Sequence, residues 1–286
     1  MQVFLNGRFV PEEQATVSIF DRSFLYGDGL FETLLVQNAK PFRWTQHLER
    51  LQCGAEFLKI KLPFSSNALQ DFARELISQN ELRDGLLRLT LSRGVGLRGY
   101  SPKGADSPSV VMTLHPASQK SNALEAGERW KLTTSSVRLA AGEALAQFKT
   151  CNKLSQILAR AEADDAAVGE ALLLNTDGLV VEGASSNLFW IEDGAVCTPP
   201  LISGILAGVT RAVVLEICAS LQLKTRDVNI TPAQLKMAEG VFLSLSSRGV
   251  MEAESLDGVR LKRSPLVEQI RGAYWNLVQA ETFNHG

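Results

Sequence analysis

Residues 86–102 read LLRLTLSRGVGLRGYSP, and the fold turns on them. An apolar run that suits a strand leads into Gly94, Gly96 and Gly99, which spell G-x-G-x-x-G, the pattern of a dinucleotide loop. Such a loop works only where its last glycine opens a helix whose N-terminal N–H groups hold a pyrophosphate. Here Gly99 is followed by Tyr-Ser-Pro-Lys-Gly, and Pro102 and Gly104 deny the segment a second helical turn. No acidic residue follows at the ribose distance. The glycines are therefore read as a loop between two strands, LLRLTLS and SVVMTLH. Arg93, Arg98 and Tyr100 interleave with them, which suits a loop that folds over a site and offers a guanidinium to a carboxylate.

Outward from this loop the chain mixes strands and helices without the strict alternation of a parallel Rossmann sheet. VFLNGRFV predicts a hairpin at Asn6-Gly7, and GLFETLLVQNAKPFR a second near Asn38-Ala39. TQHLERLQCGAEFLKI sets Leu48, Leu51, Ala55 and Leu58 on one helical face, with Thr45 as its N-cap. Residues 66–79 predict another helix. PASQKSNALEAGE is polar and carries Pro, Ser and Gly, the composition of a linker. Beyond it, residues 152–167 predict a helix with Leu154, Ile157, Leu158 and Ala161 at helical spacing. ALLLNTDGLVVEGASSNLFWIEDGAVCTP is a run of strands with turns at Asp177-Gly178 and Asp193-Gly194. A helix opens after Gly208, and EGVFLSLSS is a buried strand. The expected organisation is α+β, with a small N-terminal domain at 1–115, a linker at 116–125 and a larger domain at 126–286.

Composition bounds the function. The chain has 286 residues, 45% hydrophobic, with 29 Lys and Arg against 31 Asp and Glu. A net charge of −2 without a basic stripe argues against nucleic acid or an anionic membrane as partner. No run approaches the ~20 apolar residues of a membrane span, and the N-terminus lacks a signal-peptide core, so a cytoplasmic location is expected. Cys53, Cys151, Cys197 and Cys218 form no C-x-x-C pair, and the three histidines lie far apart in sequence, the pattern of buried or semi-buried free thiols rather than a zinc site.

Three segments carry chemistry-bearing residues. In AQFKTCNKLSQILAR, Lys149 is flanked by Ala146, Phe148 and Cys151; apolar surroundings disfavour a lysine's charged form, as a Schiff-base lysine requires. A solvated surface charge is the alternative, and Lys153 is a rival. In VVEGASSNLFW, Glu182 sits in an apolar strand and needs a partner. That partner is either a buried cation or the ring nitrogen of a bound pyridoxal phosphate. In GILAGVTRAVV, Gly208, Val209 and Thr210 stand at a helix start, either as an anion cradle or as a plain Thr N-cap.

DRSFLYGDGLFET, HLERL, Lys149–Asn152 as K-x-x-N, VEGASSNLFW, the TPP segment, GVTR and FLSLSS follow one another along nearly the whole chain. That series resembles the class IV (fold type IV) pyridoxal-phosphate enzymes, which include branched-chain and D-amino acid aminotransferases, (R)-selective amine transaminases and aminodeoxychorismate lyases. The resemblance implies a two-domain α+β fold of the D-amino acid aminotransferase type, an active site at the domain interface, and a homodimer with a loop contributed by the partner. It implies pyridoxal 5′-phosphate as cofactor, with Lys149 as the Schiff-base lysine in preference to Lys153. Glu182 then faces the pyridine nitrogen, Arg50 reaches the phosphate with Val209, Thr210 and Ser246, and Leu206 packs on the ring. Phe31, Arg98, Tyr100 and Ser247 are the implied substrate contacts, and the substrate is a small molecule.

Within the family, RGVGLRGYS resembles the R-G-x-G-x-R-G-Y-S segment of aminodeoxychorismate lyases. D-amino acid aminotransferases have R-x-H where this chain has Arg98 and Tyr100, and a Tyr where it has Phe31. Branched-chain enzymes carry a Tyr at the position of Leu154. The sequence expectation is therefore a lyase that eliminates pyruvate from aminodeoxychorismate to give 4-aminobenzoate, a folate precursor, with Lys149 taking the ring proton. The alternative is an aminotransferase for D-amino acids, branched-chain amino acids or (R)-amines with a 2-oxo acid acceptor.

Overall fold

The computed structural model describes residues 1–117 and 128–283. The expected linker falls from residue 118 onward outside the described residues, as do the last three residues of the chain. The chain forms two compact units. The first takes Met1–Asn122, returns for Phe148–Lys153, and ends with Val278–Gly286; the second takes Ala123–Gln147 and Leu154–Leu277.

In the first unit, β1 (Gln2–Leu5) and β2 (Arg8–Pro11) are joined by Asn6 and Gly7, with φ of 49° and 88°. Positive φ at both positions gives the two-residue turn whose twist matches that of its strands. Helix α1 (Arg22–Tyr26) is capped by Asp21, whose side chain accepts from the Ser23 N–H. β3 (Gly29–Gln37) returns as β4 (Lys40–Pro41) through Asn38 and Ala39, again both at positive φ. Helices α2 (Trp44–Leu58) and α3 (Ser66–Gln79) precede β5 (Gly85–Ser92) and β6 (Ser109–Pro116). The six strands form one antiparallel sheet in the order β2-β1-β6-β5-β3-β4. Period-two alternation buries Leu30, Leu34 and Val36 of β3 with Leu87, Leu89 and Leu91 of β5 against Leu48, Leu51, Ala55, Leu69, Ala73 and Leu76 of the two helices. Each large apolar side chain so buried contributes about 1.5–3 kcal/mol. The opposite face of the same strands carries Phe31, Arg88 and Thr90, all half-buried.

One cap is corrected. Thr45 lies inside the first turn of α2; the N-cap is Arg43, at φ 57° and without a side-chain cap bond. The turn leaving β4 decides where that helix begins, and Thr45 arrives two residues too late to cap it.

In the second unit, β7 (Arg129–Leu139), α4 (Leu154–Asp165) and β8 (Glu170–Asn175) make a parallel crossover. Then follow β9 (Val180–Gly183), β10 (Asn187–Glu192), β11 (Ala195–Thr198), α5 (Val209–Ser220), β12 (Thr225–Asp227) and α6 (Pro232–Leu235). β13 (Gly240–Leu245), β14 (Gly249–Leu256), β15 (Val259–Arg260) and α7 (Pro265–Thr282) complete the chain. Strands β10-β13-β14-β7-β8-β9 pair in that order, and β9 pairs back to β10, so the sheet closes into a barrel. All six contribute to one cluster that includes Leu132, Leu172, Val180, Leu188, Trp190, Leu243 and Met251, the inward set of alternating residues.

The apolar stripe of α4 does not serve as its core face. Leu154, Ile157 and Leu158 are exposed, while Ala159 and Ala163 are buried against the barrel. Small side chains let this crossover helix lie close on β7 and β8, and the large ones point to solvent. Cys197 and Cys218 are buried and Cys151 is half-buried, but Cys53 is exposed, against the expectation for it. Among the described residues no helix is long and apolar enough to cross a membrane.

Candidate active site

Lys149 is placed by a strand far from it in sequence. Phe31 N–H donates to Lys149 O (2.9 Å), Cys151 N–H donates to Gly29 O (2.8 Å), and Leu30 and Thr150 form an antiparallel bridge. The segment around Lys149 thereby becomes an extra length of strand along β3. Lys149 Nζ lies 4.7 Å from the centroid of the Phe31 ring, and Arg88 Cζ lies 3.8 Å from the same centroid. A cation over an aromatic face gains about 0.5–2 kcal/mol, and two cations at one ring favour an anion beside them. Arg88 was missed by the sequence reading; its signal was an arginine amid the leucines of LLRLTLS, on the strand face that period two shares with Phe31.

Arg50 lies under the other face of β3. Its Nε donates to Glu32 Oε1 (2.8 Å) and one terminal amine donates to Glu32 Oε2 (2.6 Å). His47 Nδ1 meets Glu32 Oε2 at 2.7 Å. Glu32 is buried, which by itself raises a carboxyl pKa. The charge of Arg50 and the bonds from His47 and Arg50 outweigh that and hold it at about 2. Burial lowers the His47 pKa, with the charges of Arg50 and Lys149 acting the same way against the pull of Glu32. The guanidinium of Arg50 is thus oriented by protein groups before any ligand arrives.

The glycine loop is anchored rather than loose. Arg22 donates to the carbonyls of Gly99 (3.0 Å), Tyr100 (3.0 Å) and Ser101 (3.2 Å), and Val95 bridges Asp21. Asp28 ties Arg22 (2.8 Å) to Arg93 (2.7 Å), and Arg93 reaches the Leu58 carbonyl at the end of α2 (2.8 Å). Arg98 and Tyr100 point outward, and Tyr100 is 87% exposed.

In the second unit Glu182 is buried on β9, directly across from Asn187 on β10. Glu182 Oε2 accepts the Leu206 N–H (2.9 Å), and Asn187 Nδ2 donates to the Leu206 carbonyl (2.9 Å). Both main-chain polar groups of Leu206 are therefore held, one in each of the two peptides that flank its Cα. Two residues later Gly208 caps α5 without a side-chain bond, and a Cβ there would run into Asn187 Oδ1. Thr210 lies inside the first turn, so the Thr N-cap alternative does not hold. Val209 and Thr210 are buried where the helix presents its first N–H groups. Ser246 is half-buried and Ser247 exposed in the turn after β13. Ser244, paired with Asn187 on the same face, has a buried hydroxyl without a hydrogen-bond partner among the described residues.

Each unit thus carries a set of groups suited to one kind of ligand. The first offers an amine and a guanidinium on an aromatic ring; the second offers a fixed carboxylate and a helix start. A family model described as amino-transferase class IV matches residues 29–256. The D-alanine aminotransferase of Bacillus licheniformis is 30% identical over 285 residues, covering 99% of this chain and 99% of that protein. The crystal structure of the Escherichia coli branched-chain amino acid aminotransferase matches with a TM-score of 0.91 at 27% identity, over 99% of this chain and 96% of that one. That of 4-amino-4-deoxychorismate lyase from Pseudomonas aeruginosa matches with a TM-score of 0.84 at 33% identity, over 98% of both chains.

Proposed function

The chain belongs to the class IV aminotransferase family, and from that premise we propose that it exchanges amino groups between an amino acid and a 2-oxo acid. Pyridoxal 5′-phosphate is the cofactor, as in that family. The residues present fit it: a helix start free of side-chain capping for a phosphate, a buried carboxylate held by a main-chain amide for a ring nitrogen, and a lysine on an aromatic ring. When bound, the cofactor supplies an aldehyde that captures amines and a pyridinium ring that withdraws electrons from the carbon bearing the nitrogen.

In this reading Lys149 attaches the cofactor and carries the proton at Nζ. Glu182 keeps the ring nitrogen charged. Arg50, Val209, Thr210 and Ser246 receive the phosphate, and Leu206 borders the ring. Phe31 supports the Lys149 amine, and Ser247, Arg98 and Tyr100 are substrate contacts. The observation that carries the proposal is the pair of cations on Phe31. Arg88 and the Lys149 amine meet the same Phe31 ring, which suits a substrate with both an amine and a carboxylate. A homodimer fits the apolar surface of α1 and the glycine loop, where Phe20, Phe24 and Leu97 are exposed.

The names of the relatives support amino-group exchange on D- or branched-chain amino acids. Lyase action on aminodeoxychorismate is the second reading, favoured by RGVGLRGYS and by the 33% identity with the Pseudomonas lyase. The test is a panel on the holoenzyme. Loss of its visible absorbance with D-alanine or a branched-chain amino acid, and recovery with a 2-oxo acid, supports exchange. Pyruvate and 4-aminobenzoate from aminodeoxychorismate without any acceptor would replace it with the lyase.

A further inference from the structure

We propose that Glu170, which no step above uses, is a positioning residue: its carboxyl group fixes the tight turn whose ends carry Glu182 and Asn187, and so aims the acid and the α5 cradle together. The proposal rests on the reading of Glu182 as the partner of the cofactor's ring nitrogen.

Glu170 opens β8 and has no exposed surface. Its Oε1 accepts from the Ala171 N–H (3.1 Å). Its Oε2 accepts from the Ser185 N–H (3.1 Å), the Ser185 hydroxyl (2.7 Å) and the Ser186 hydroxyl (3.1 Å). Three of these four donors belong to the turn between β9 and β10. Around them Gly183 N–H donates to Ser186 O (2.7 Å) and Ala184 N–H to Ala171 O (2.9 Å). Gly183 has no room for a Cβ, because Ser186 Oγ and the Glu170 side chain occupy that space. The turn is thus wrapped on one carboxyl group.

From the turn the constraint runs outward through contacts already described. Glu182 and Asn187 face each other across it, and together they hold the N–H and the carbonyl of Leu206. Gly208, the cap of α5, packs on Asn187. A turn that rotates shifts the carboxylate and the helix start in one movement. A buried acceptor serving three donors is also hard to replace, since removing it leaves buried donors unpaired.

The experiment compares Glu170→Gln, Glu182→Gln and the double variant as holoenzymes. It reads the visible absorbance against pH and the dissociation constant for pyridoxal phosphate by fluorescence. Glu170→Gln keeps the size, puts a weaker neutral acceptor where the carboxyl oxygen meets the three turn donors, and turns an amide donor toward the Ala171 N–H. The expected result is a displaced absorbance titration in both single variants, cofactor binding weaker by about tenfold to a hundredfold in Glu170→Gln, and a double variant no worse than Glu182→Gln. Wild-type titration and affinity in Glu170→Gln, or strictly additive effects, overturn the proposal while Glu182 keeps its role. A wild-type spectrum in Glu182→Gln removes that role and the proposal with it. Should Glu170→Gln not fold, the Ser185→Ala/Ser186→Ala variant removes two donors and leaves the carboxyl group; the same displacement supports the proposal and its absence sinks it.

Discussion

Lys149 and Glu32 show how differently single residues announce themselves. Lys149 was legible because its neighbours are apolar and K-x-x-N separates it from Lys153. Glu32 was not, since nothing local tells a buried carboxylate that Arg50 and His47 will approach from a helix. Lys149→Ala removes the proposed proton carrier, and turnover is expected to fall by about 10²–10⁴-fold with the fold intact by circular dichroism. The Glu32 cluster predicts acid sensitivity with a definite sign. The Glu32 pKa is lowered from the ordinary 4.5 to about 2, so the unfolded chain binds a proton that the folded one refuses as pH falls below 4.5. That stability, on the order of 3 kcal/mol at neutral pH, is present above 4.5 and lost on the way to 2. The His47 pKa is lowered from 6.5 by burial, so a separate loss begins as pH falls below 6.5. As pH is lowered from 8 toward 3, urea midpoints should fall first below pH 6.5 and again below pH 4.5. Glu32→Gln should flatten the acid limb, at a cost of about 3–5 kcal/mol at neutral pH for stranding Arg50.

Elements were read best where local chemistry decides them. Asn6-Gly7 and Asp193-Gly194 are two-residue turns at positive φ, as their residue types suggest, and Asn38-Ala39 makes the same turn with an alanine where glycine is favoured. The helix over 66–79 has its predicted bounds and a Ser65 cap. Where tertiary geometry decides, the pattern misled. The leucines of α4 face solvent, and the start of α2 is set by a turn rather than by Thr45. The α5 start joins the two kinds: Gly208 was visible as a helix opener, but its contact with Asn187 belongs to the barrel. Gly208→Ala places a methyl group against that amide, an overpacking worth about 1–3 kcal/mol. Because the displaced residue holds Leu206, the expected loss is about five- to a hundredfold in pyridoxal-phosphate affinity by titration, beyond any drop in melting temperature. A drop in melting temperature alone would detach the cradle from the cofactor.

At the scale of the whole molecule, hydrophobic periodicity alone left one question open: which apolar residues are core and which face another chain. Ile19, Phe20 and Phe24 flank or lie on α1, and Leu97 sits in the loop whose carbonyls Arg22 grips; all four are more than half exposed. Arg22 joins the two segments, so they form one surface. Large apolar residues grouped in this way mark contact sites rather than ordinary solvent-facing surface. A Phe24→Glu/Leu97→Glu variant should therefore sediment at the mass of one chain, where the unaltered protein is expected to sediment at twice that mass. Arg98 and Tyr100 project from the same surface, so a dimer formed there would present them to the partner subunit. Lys149→Ala and Arg98→Ala chains, each weak by itself, should then regain activity when mixed and refolded together, because one hybrid site would hold both native residues. Dimers that survive the double glutamate variant would move the contact to another face. Mixed chains without recovery would leave Arg98 outside the substrate site, and Arg88 would remain as the cation that meets the substrate carboxylate.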